Sequence, residues 1–398
     1  MPRLFGTDGI RGIANRELDA PLAYRLGRAV GELLDPDRRG VLIGQDTRRS
    51  GDMFVAATAA GLAAAGSDAV FMGVVTTPCL AHATANGGAA GIMVSASHNP
   101  ATDNGLKVLV GGRKPSLQVE DELELLMRRA DTLLGPGNDG VGTLRHDLGP
   151  IDAYLAGLRA VAGDAFRGLR VALDCANGSA SRVAPRLFES LGADVTASAA
   201  APDGTNINRE CGATHPEALQ RLVRDTGVDV GLAFDGDADR LIAVDERGVV
   251  VDGDGIMGIC ALDRLARGTL PHRLVVATVL SNGGLDRAVA AAGGHVVRTA
   301  VVGDRAVAEE MERRGAALGG EQSGHVVFAE LATTGDGMLT AIELVKAMRA
   351  AGRSLSELAS RIPKIPQVML NSAAGRGDDW QDDPEFSAAV ERATAAMG

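Results

Sequence analysis

A chain of 398 residues, 45% of them hydrophobic, is longer than one hydrophobic core usually supports, so several domains are expected. Aromatic residues make up only 3% against 52 glycines, and the net charge is −11, whereas a groove that grips a phosphodiester backbone shows a basic stripe. Nucleic acid is thereby excluded as a partner, while a small anionic substrate in a locally basic cleft stays compatible with an acidic protein.

In chain order, Met1–Phe5 runs directly into polar Gly6-Thr7-Asp8, with no hydrophobic signal segment and no apolar stretch of membrane-spanning length anywhere. The cytoplasm is the expected address and no membrane partner is expected. Val41-Leu42-Ile43 reads as a strand, and Met53–Ala65 as a helix that Asp52 would cap. Gly91–Val94 reads as a strand that ends in the Asn99-Pro100 turn and displays Ser97 exposed at its end, followed by a turn over Asp103–Lys107. A polar Gly/Pro stretch at Gly135–Gly149 separates this block from a second that opens near Ile151 and carries strands at Val171-Ala172-Leu173, Val230–Phe234 and Leu241–Val244. Seams at Arg247-Gly248 and Asp252–Gly255 introduce a third block with a strand at Leu274–Val276. That block ends near Pro363, because Pro363 and Pro366 cannot sit inside a helix. The alternation of strands and helices signals βαβ units in three similar α/β blocks. The expected boundaries are 1–150, 151–248, 249–362 and 363–398. Cys79, Cys175, Cys211 and Cys260 lie far apart without a C-x-x-C pair and read as buried thiols.

The sharpest chemical signal is Asp235-Gly236-Asp237-Ala238-Asp239-Arg240 between two apolar strands. Three carboxylates at i, i+2 and i+4 share one face if the segment stays extended, and such oxygen density suits Mg²⁺. A calcium loop fails, because its sixth position, which needs glycine, is Arg240 and the flanks read as strands. Arg240 beside a metal fits the holding of a phosphoryl group. Ser97 alone is only a candidate: G-x-S-x-G is absent and the adjacent His98 is poorly placed as its base. The Gly320–His325 loop offers Glu321 and Ser323 to sugar hydroxyls, and reads equally well as a glycine-rich hairpin. Arg11, flanked by glycines, and Lys107 are ordinary loop charges in isolation. Beside Ser97 and the aspartates each can neutralise phosphate oxygens or move a proton, Lys107 needing a lowered pKa to act as base.

Taken jointly, GTDGIRG at 6–12, SASHNP at 95–100, DGDADR at 235–240, VGDR at 302–305 and GEQSGH at 320–325 resemble the α-D-phosphohexomutase superfamily. The resemblance covers essentially the whole chain, and its motifs look like the branch that acts on glucosamine phosphate; mannose or glucose phosphates are the alternative substrates. It implies four domains around a central cleft, the first three sharing a mixed α/β core. It implies that Ser97 is phosphorylated, that Asp235, Asp237, Asp239 and a phosphoserine oxygen hold Mg²⁺, and that Arg11, His98, Lys107 and Arg240 surround the phosphoryl group. Lys107 would shuttle protons, His325 would assist, Glu321 and Ser323 would hold the sugar, and Gly303, Asp304 and Arg305 would select it. The implied reaction interconverts glucosamine 6-phosphate and 1-phosphate through a 1,6-bisphosphate, with glucosamine or glucose 1,6-bisphosphate as activator; a homodimer is left open. One departure concerns the R-x-S-G-T-E-P phosphate loop of the family's fourth domain, a string these 398 residues do not contain. Gln367–Gly398 resembles the start of that domain, a strand, an acidic loop and a helix, so an incomplete fourth domain and a catalytically impaired sugar-phosphate binder are also expected readings.

Overall fold

The aliphatic runs become strands buried along their whole length at Val41–Gln45, Ala90–Val94, Val230–Phe234, Leu241–Asp245 and Leu274–Thr278. Near-continuous apolar strands of this kind need cover on both faces. The computed structural model describes residues 3–368 and 383–397. It contains three mixed sheets.

The first sheet comprises β1 (Ile10–Ile13), β2 (Val41–Gln45), β3 (Ala69–Val74), β4 (Ala90–Val94), β5 (Asp103–Leu109) and β6 (Leu144–His146), in the order β1-β5-β4-β2-β3-β6. The second comprises β7 (Arg170–Asp174), β8 (Asp194–Ser198), β9 (Val230–Phe234), β10 (Leu241–Asp245) and β11 (Val250–Val251), in the order β11-β10-β9-β7-β8. The third is β13 (His295–Thr299), β12 (Leu274–Thr278), β14 (Leu318–Gly320) and β15 (Val326–Phe328) in that spatial order. One pattern recurs in all three: three parallel strands followed by an antiparallel partner, as β3-β2-β4-β5, β8-β7-β9-β10 and β13-β12-β14-β15. The loop that reverses the chain in each case carries one of the motifs: 95–102, 235–240 and 321–325.

Helices Ala20–Leu34, Gly51–Ala64 and Leu117–Arg129 bury Leu26, Phe54, Leu62 and Leu123 against one face of the first sheet. Its other face joins a core that runs on through Phe166, Phe188, Phe234, Phe328 and Leu344, so apolar packing is continuous across all three sheets. The helix Gly337–Ala351 is buried along most of its length within that core. All four cysteines are buried and free. Among the described residues no helix is long and apolar enough to cross a membrane.

Four local expectations are corrected. Asp52 does not cap its helix: Ser50 occupies the cap position and Asp52 accepts a 2.9 Å bond from Gln45 Nε2. Asp103–Lys107 is no turn but the first part of β5, where cross-strand pairing to β4 and β1 overrides the turn propensity of Asn104-Gly105. Arg11 likewise lies on a strand, β1. The polar stretch 135–149 is not wholly a linker, since β6 within it extends the first sheet alongside β3. Residues from Ile365 form a separate small unit containing the helix Pro384–Met397. The strand and acidic loop expected before that helix fall largely outside the described residues.

Candidate active site

Asp235, Asp237 and Asp239 are buried, with a carboxylate oxygen from each within 4.8 Å of the others. They converge for a different reason than sequence period suggests. The segment is not extended but turns back on itself, with Ala238 at φ +57° and its N–H bonded to Asp235 O at 3.1 Å. Ser97 Oγ donates to Asp235 Oδ2 at 2.5 Å. This approach requires glycine at position 236, where a Cβ would stand 2.4 Å from Ser97 O.

Ser97 is not an exposed strand-end hydroxyl, being only 1% accessible and left-handed at φ +51°. The loop is held from below. Arg48, buried on the turn after β2, donates from Nη2 to Ser97 O at 3.0 Å and Asn99 O at 2.8 Å. Its Nη1 reaches Asp103 O at 2.9 Å, and its Nε pairs with Asp46 Oδ2 at 2.9 Å. Asp46 also accepts from Ser95 Oγ at 2.6 Å, and Ser95 Oγ accepts from Ser97 N at 2.9 Å. From the second sheet's side, Asn208 Nδ2 donates to Ser97 O at 2.8 Å and Asn99 O at 3.0 Å.

Lys107 Nζ lies 2.7 Å from Asp237 Oδ2, 2.8 Å from Asp8 Oδ2 and 3.9 Å from Asp239 Oδ2. Burial alone would push its pKa down, but the Asp237, Asp8 and Asp239 carboxylates outweigh burial and hold it above the usual lysine range. The lowered pKa expected of a base is therefore reversed: Lys107 is a firmly protonated donor here. Arg11 pairs with Asp8 and donates to Asn99 Oδ1 at 3.3 Å. Arg240 Nε is 3.9 Å from Asp239 Oδ1. His98 is pushed down to about 4 by burial and by Arg240 and Arg11, leaving a neutral ring with Nδ1 3.4 Å from Ser97 Oγ. His325 is held up, because Asp239, 3.6 Å from its Nδ1, outweighs burial. Asp235 is raised well above the carboxylate range by burial and by the neighbouring Asp239 and Asp237.

Two oxygens bear on which ion this cluster suits. Asp237 Oδ1 and Asp239 Oδ1 are buried without a hydrogen-bond partner. Acceptor-only carboxylates stranded in this way are costly unless a cation takes them, and a hard divalent ion such as Mg²⁺ matches the all-oxygen donor set. The residues present fit that ion.

In the loop between β14 and β15, Glu321 Oε1 accepts from Gly303 N at 3.0 Å, and Ser323 Oγ lies 3.3 Å from Glu321 Oε2. Gly303, at φ +131°, is in a conformation that favours glycine. Asp304 and Arg305 open the helix Asp304–Arg314 and are engaged by Lys114, Pro115 and Glu120 of the first sheet's layer. These contacts tie Ser97 to Asp235, Lys107 to Asp237, His325 to Asp239 and Gly303 to Glu321, while the Asp304 and Arg305 side chains turn toward the first block.

Sequence reasoning missed Asp8, Asp46, Arg48, Thr77, Lys114 and Asn208. Asp8 lay inside a motif already marked, and Asp46-Thr47-Arg48 follows a recognised strand, so both had a signal. Thr77 had none: its Oγ1 donates to Asp237 Oδ2 at 2.6 Å and its N–H to Asp237 O at 3.0 Å, a contact spanning 160 residues.

Comparison with known proteins agrees with this geometry. Residues 2–133, 152–248 and 252–365 match alpha/beta/alpha domains I, II and III of phosphoglucomutase/phosphomannomutase. The chain belongs to that family of phosphohexomutases. A phosphoglucosamine mutase of Symbiobacterium thermophilum is 50% identical over 404 residues, covering 100% of this chain and 90% of its own. One of Moorella thermoacetica is 49% identical over 398 residues, covering 99% of this chain and 89% of its own. Among solved structures, a phosphoglucomutase/phosphomannomutase family protein from Burkholderia thailandensis is 30% identical with a TM-score of 0.79, covering 91% of this chain and 80% of its own.

Proposed function

We propose that the chain interconverts glucosamine 6-phosphate and glucosamine 1-phosphate, with Ser97 as phosphate carrier. The observation that carries the reading is Ser97 Oγ at 2.5 Å from Asp235 in a buried triad whose other two members present unpartnered oxygens. The name shared by relatives about 50% identical over the whole chain supports the amino sugar as substrate.

Phosphate on Ser97 Oγ passes to the C1 hydroxyl of glucosamine 6-phosphate. The bond from phosphorus to the serine oxygen breaks and that to O1 forms; the serine oxygen takes a proton from Lys107, and the proton leaving the sugar hydroxyl restores it. The 1,6-bisphosphate turns over and returns its 6-phosphate to Ser97, releasing glucosamine 1-phosphate. Glucosamine or glucose 1,6-bisphosphate would likewise phosphorylate an empty Ser97. When bound by Asp235, Asp237, Asp239 and a phosphoserine oxygen, Mg²⁺ supplies charge neutralisation. Protonated Lys107 holds a proton for the leaving oxygen, while Arg11, neutral His98 and Arg240 surround the phosphoryl group. Glu321 and Ser323 grip sugar hydroxyls, and His325 is set by Asp239 in the same loop. In this scheme 1–150 carries the phosphoserine, 151–248 the metal and 249–362 the sugar loop. The partner is a small phosphosugar in the cytoplasm.

The test is turnover of glucosamine 6-phosphate against mannose and glucose phosphates, with intact-mass analysis of the Ser97 peptide. Faster use of mannose 1-phosphate overturns the substrate, and absence of a phosphoryl mass increment overturns the carrier.

A further inference from the structure

Two ion pairs join segments about 190 residues apart beside the proposed sugar loop. Lys114 Nζ contacts Asp304 Oδ2 at 2.6 Å, Asp8 Oδ1 at 2.7 Å and Thr7 O at 3.0 Å, so its three donors are committed. Arg305 pairs with Glu120 and donates to Pro115 O at 2.8 Å. The four side chains are at most 20% exposed, which shields the pairs from salt better than ordinary surface bridges. A third tie runs from Thr333 Oγ1 to Gly112 O at 2.7 Å.

These contacts belong to one line of alternating charge, Lys107, Asp8, Lys114, Asp304, starting at the triad. It ends one residue from Gly303, whose N–H binds Glu321. Asp304 lies on the first turn of its helix, where the dipole also favours a carboxylate. Displacing Asp304 therefore displaces the donor that orients Glu321.

We infer that Lys114 and Glu120 are positioning residues: they strap the start of the helix Asp304–Arg314 to the first block and so fix Gly303 and the Glu321 carboxylate that it binds. The inference rests on the reading of Glu321 as a sugar ligand. On this account Asp304 and Arg305 affect substrate choice through where they hold the loop.

The experiment attaches spin labels to the full chain at Gln118→Cys and Glu309→Cys, two exposed sites on the helices that the strap joins, the native cysteines being buried. Distances are measured in the parent and in a Lys114→Met/Glu120→Gln double variant. The same substitutions, without labels, are assayed with glucosamine 6-phosphate. A narrow parental distance that broadens in the double variant is expected, with KM raised at least tenfold and kcat within threefold. Lys114→Arg should return KM to within about threefold of the parent. An unchanged distance distribution overturns the strap. Broadening with an unchanged KM, or a loss confined to kcat, overturns its link to the sugar loop. If the parent fails to turn over glucosamine 6-phosphate, the functional reading falls, and the distances still decide whether the strap exists.

Discussion

Ser97 sits at φ +51°, a conformation that costs a residue with a Cβ about 1–2 kcal/mol. The strain persists because Arg48, Asn208 and Ser95 over-determine the loop around it. Replacing the serine separates chemistry from backbone. Ser97→Ala keeps the Cβ and the strain, whereas Ser97→Gly removes both, so the glycine variant should be the more stable by about 1 kcal/mol in denaturant titration. Neither variant should carry phosphate or turn over substrate. Equal stabilities would argue against strain at this position, and turnover by either would remove Ser97 from the mechanism.

At the scale of elements, the start of the helix Gly337–Ala351 couples to the metal loop through Gly337 N and Ala238 O at 3.0 Å. Its cap is Asp336, which accepts from Leu339 N at 3.0 Å and from Tyr154 OH at 2.9 Å. Burial pushes the Asp336 carboxyl up to about 6. The folded state therefore holds this proton more tightly than the unfolded chain, whose carboxyl titrates near 4. The stabilisation from the protonated form is fully present below about pH 4 and lost as the pH rises through 6; above that the ionised group costs up to about 3 kcal/mol. Asp336→Asn keeps the bond from Leu339 N at its Oδ1, places Nδ2 to donate to the Tyr154 hydroxyl oxygen in place of accepting from it, and does not titrate. Its stability relative to the parent should rise between pH 4 and pH 7.5, and a difference that does not change with pH would contradict this reading.

For the molecule as a whole, the centre exists only when the three sheets are assembled. Thr77 and Lys107 reach Asp237, Ser97 reaches Asp235, and His325 reaches Asp239, while Leu241 N bonds Gly324 O at 3.0 Å. A cation held by the triad binds this assembled state alone and so stabilises it. Mg²⁺ at a hundred times its Kd should add about 2.7 kcal/mol, read as a higher melting temperature than in EDTA. Asp237→Asn should weaken Mg²⁺ binding at least tenfold, which at the same Mg²⁺ concentration cuts the gain to about 1.4 kcal/mol or less. An unshifted parent would argue against the metal assignment.

The strands at β2, β4, β7, β9, β10 and β12 were legible because apolar runs bracket short polar ones, a pattern set by neighbours along the chain, whereas β1, β3, β8 and β13 were not read. The metal chemistry was legible for a related reason: three carboxylates within five residues between apolar strands call for a cation. Asp103–Lys107 was misread because Asn104-Gly105 carries a local turn signal, and the β4 and β1 partners that overrode it lie elsewhere in the sequence. The same limit hid Arg48, whose bonds to the Ser97 loop span about 50 residues, and Lys114, whose bond to Asp304 spans 190. Which charges neutralise which is decided by the packing of one sheet's layer against another. Lys107 shows the consequence: whether burial lowers its pKa or carboxylates raise it depends on Asp237 and Asp8 standing within 2.8 Å, a fact of tertiary structure alone.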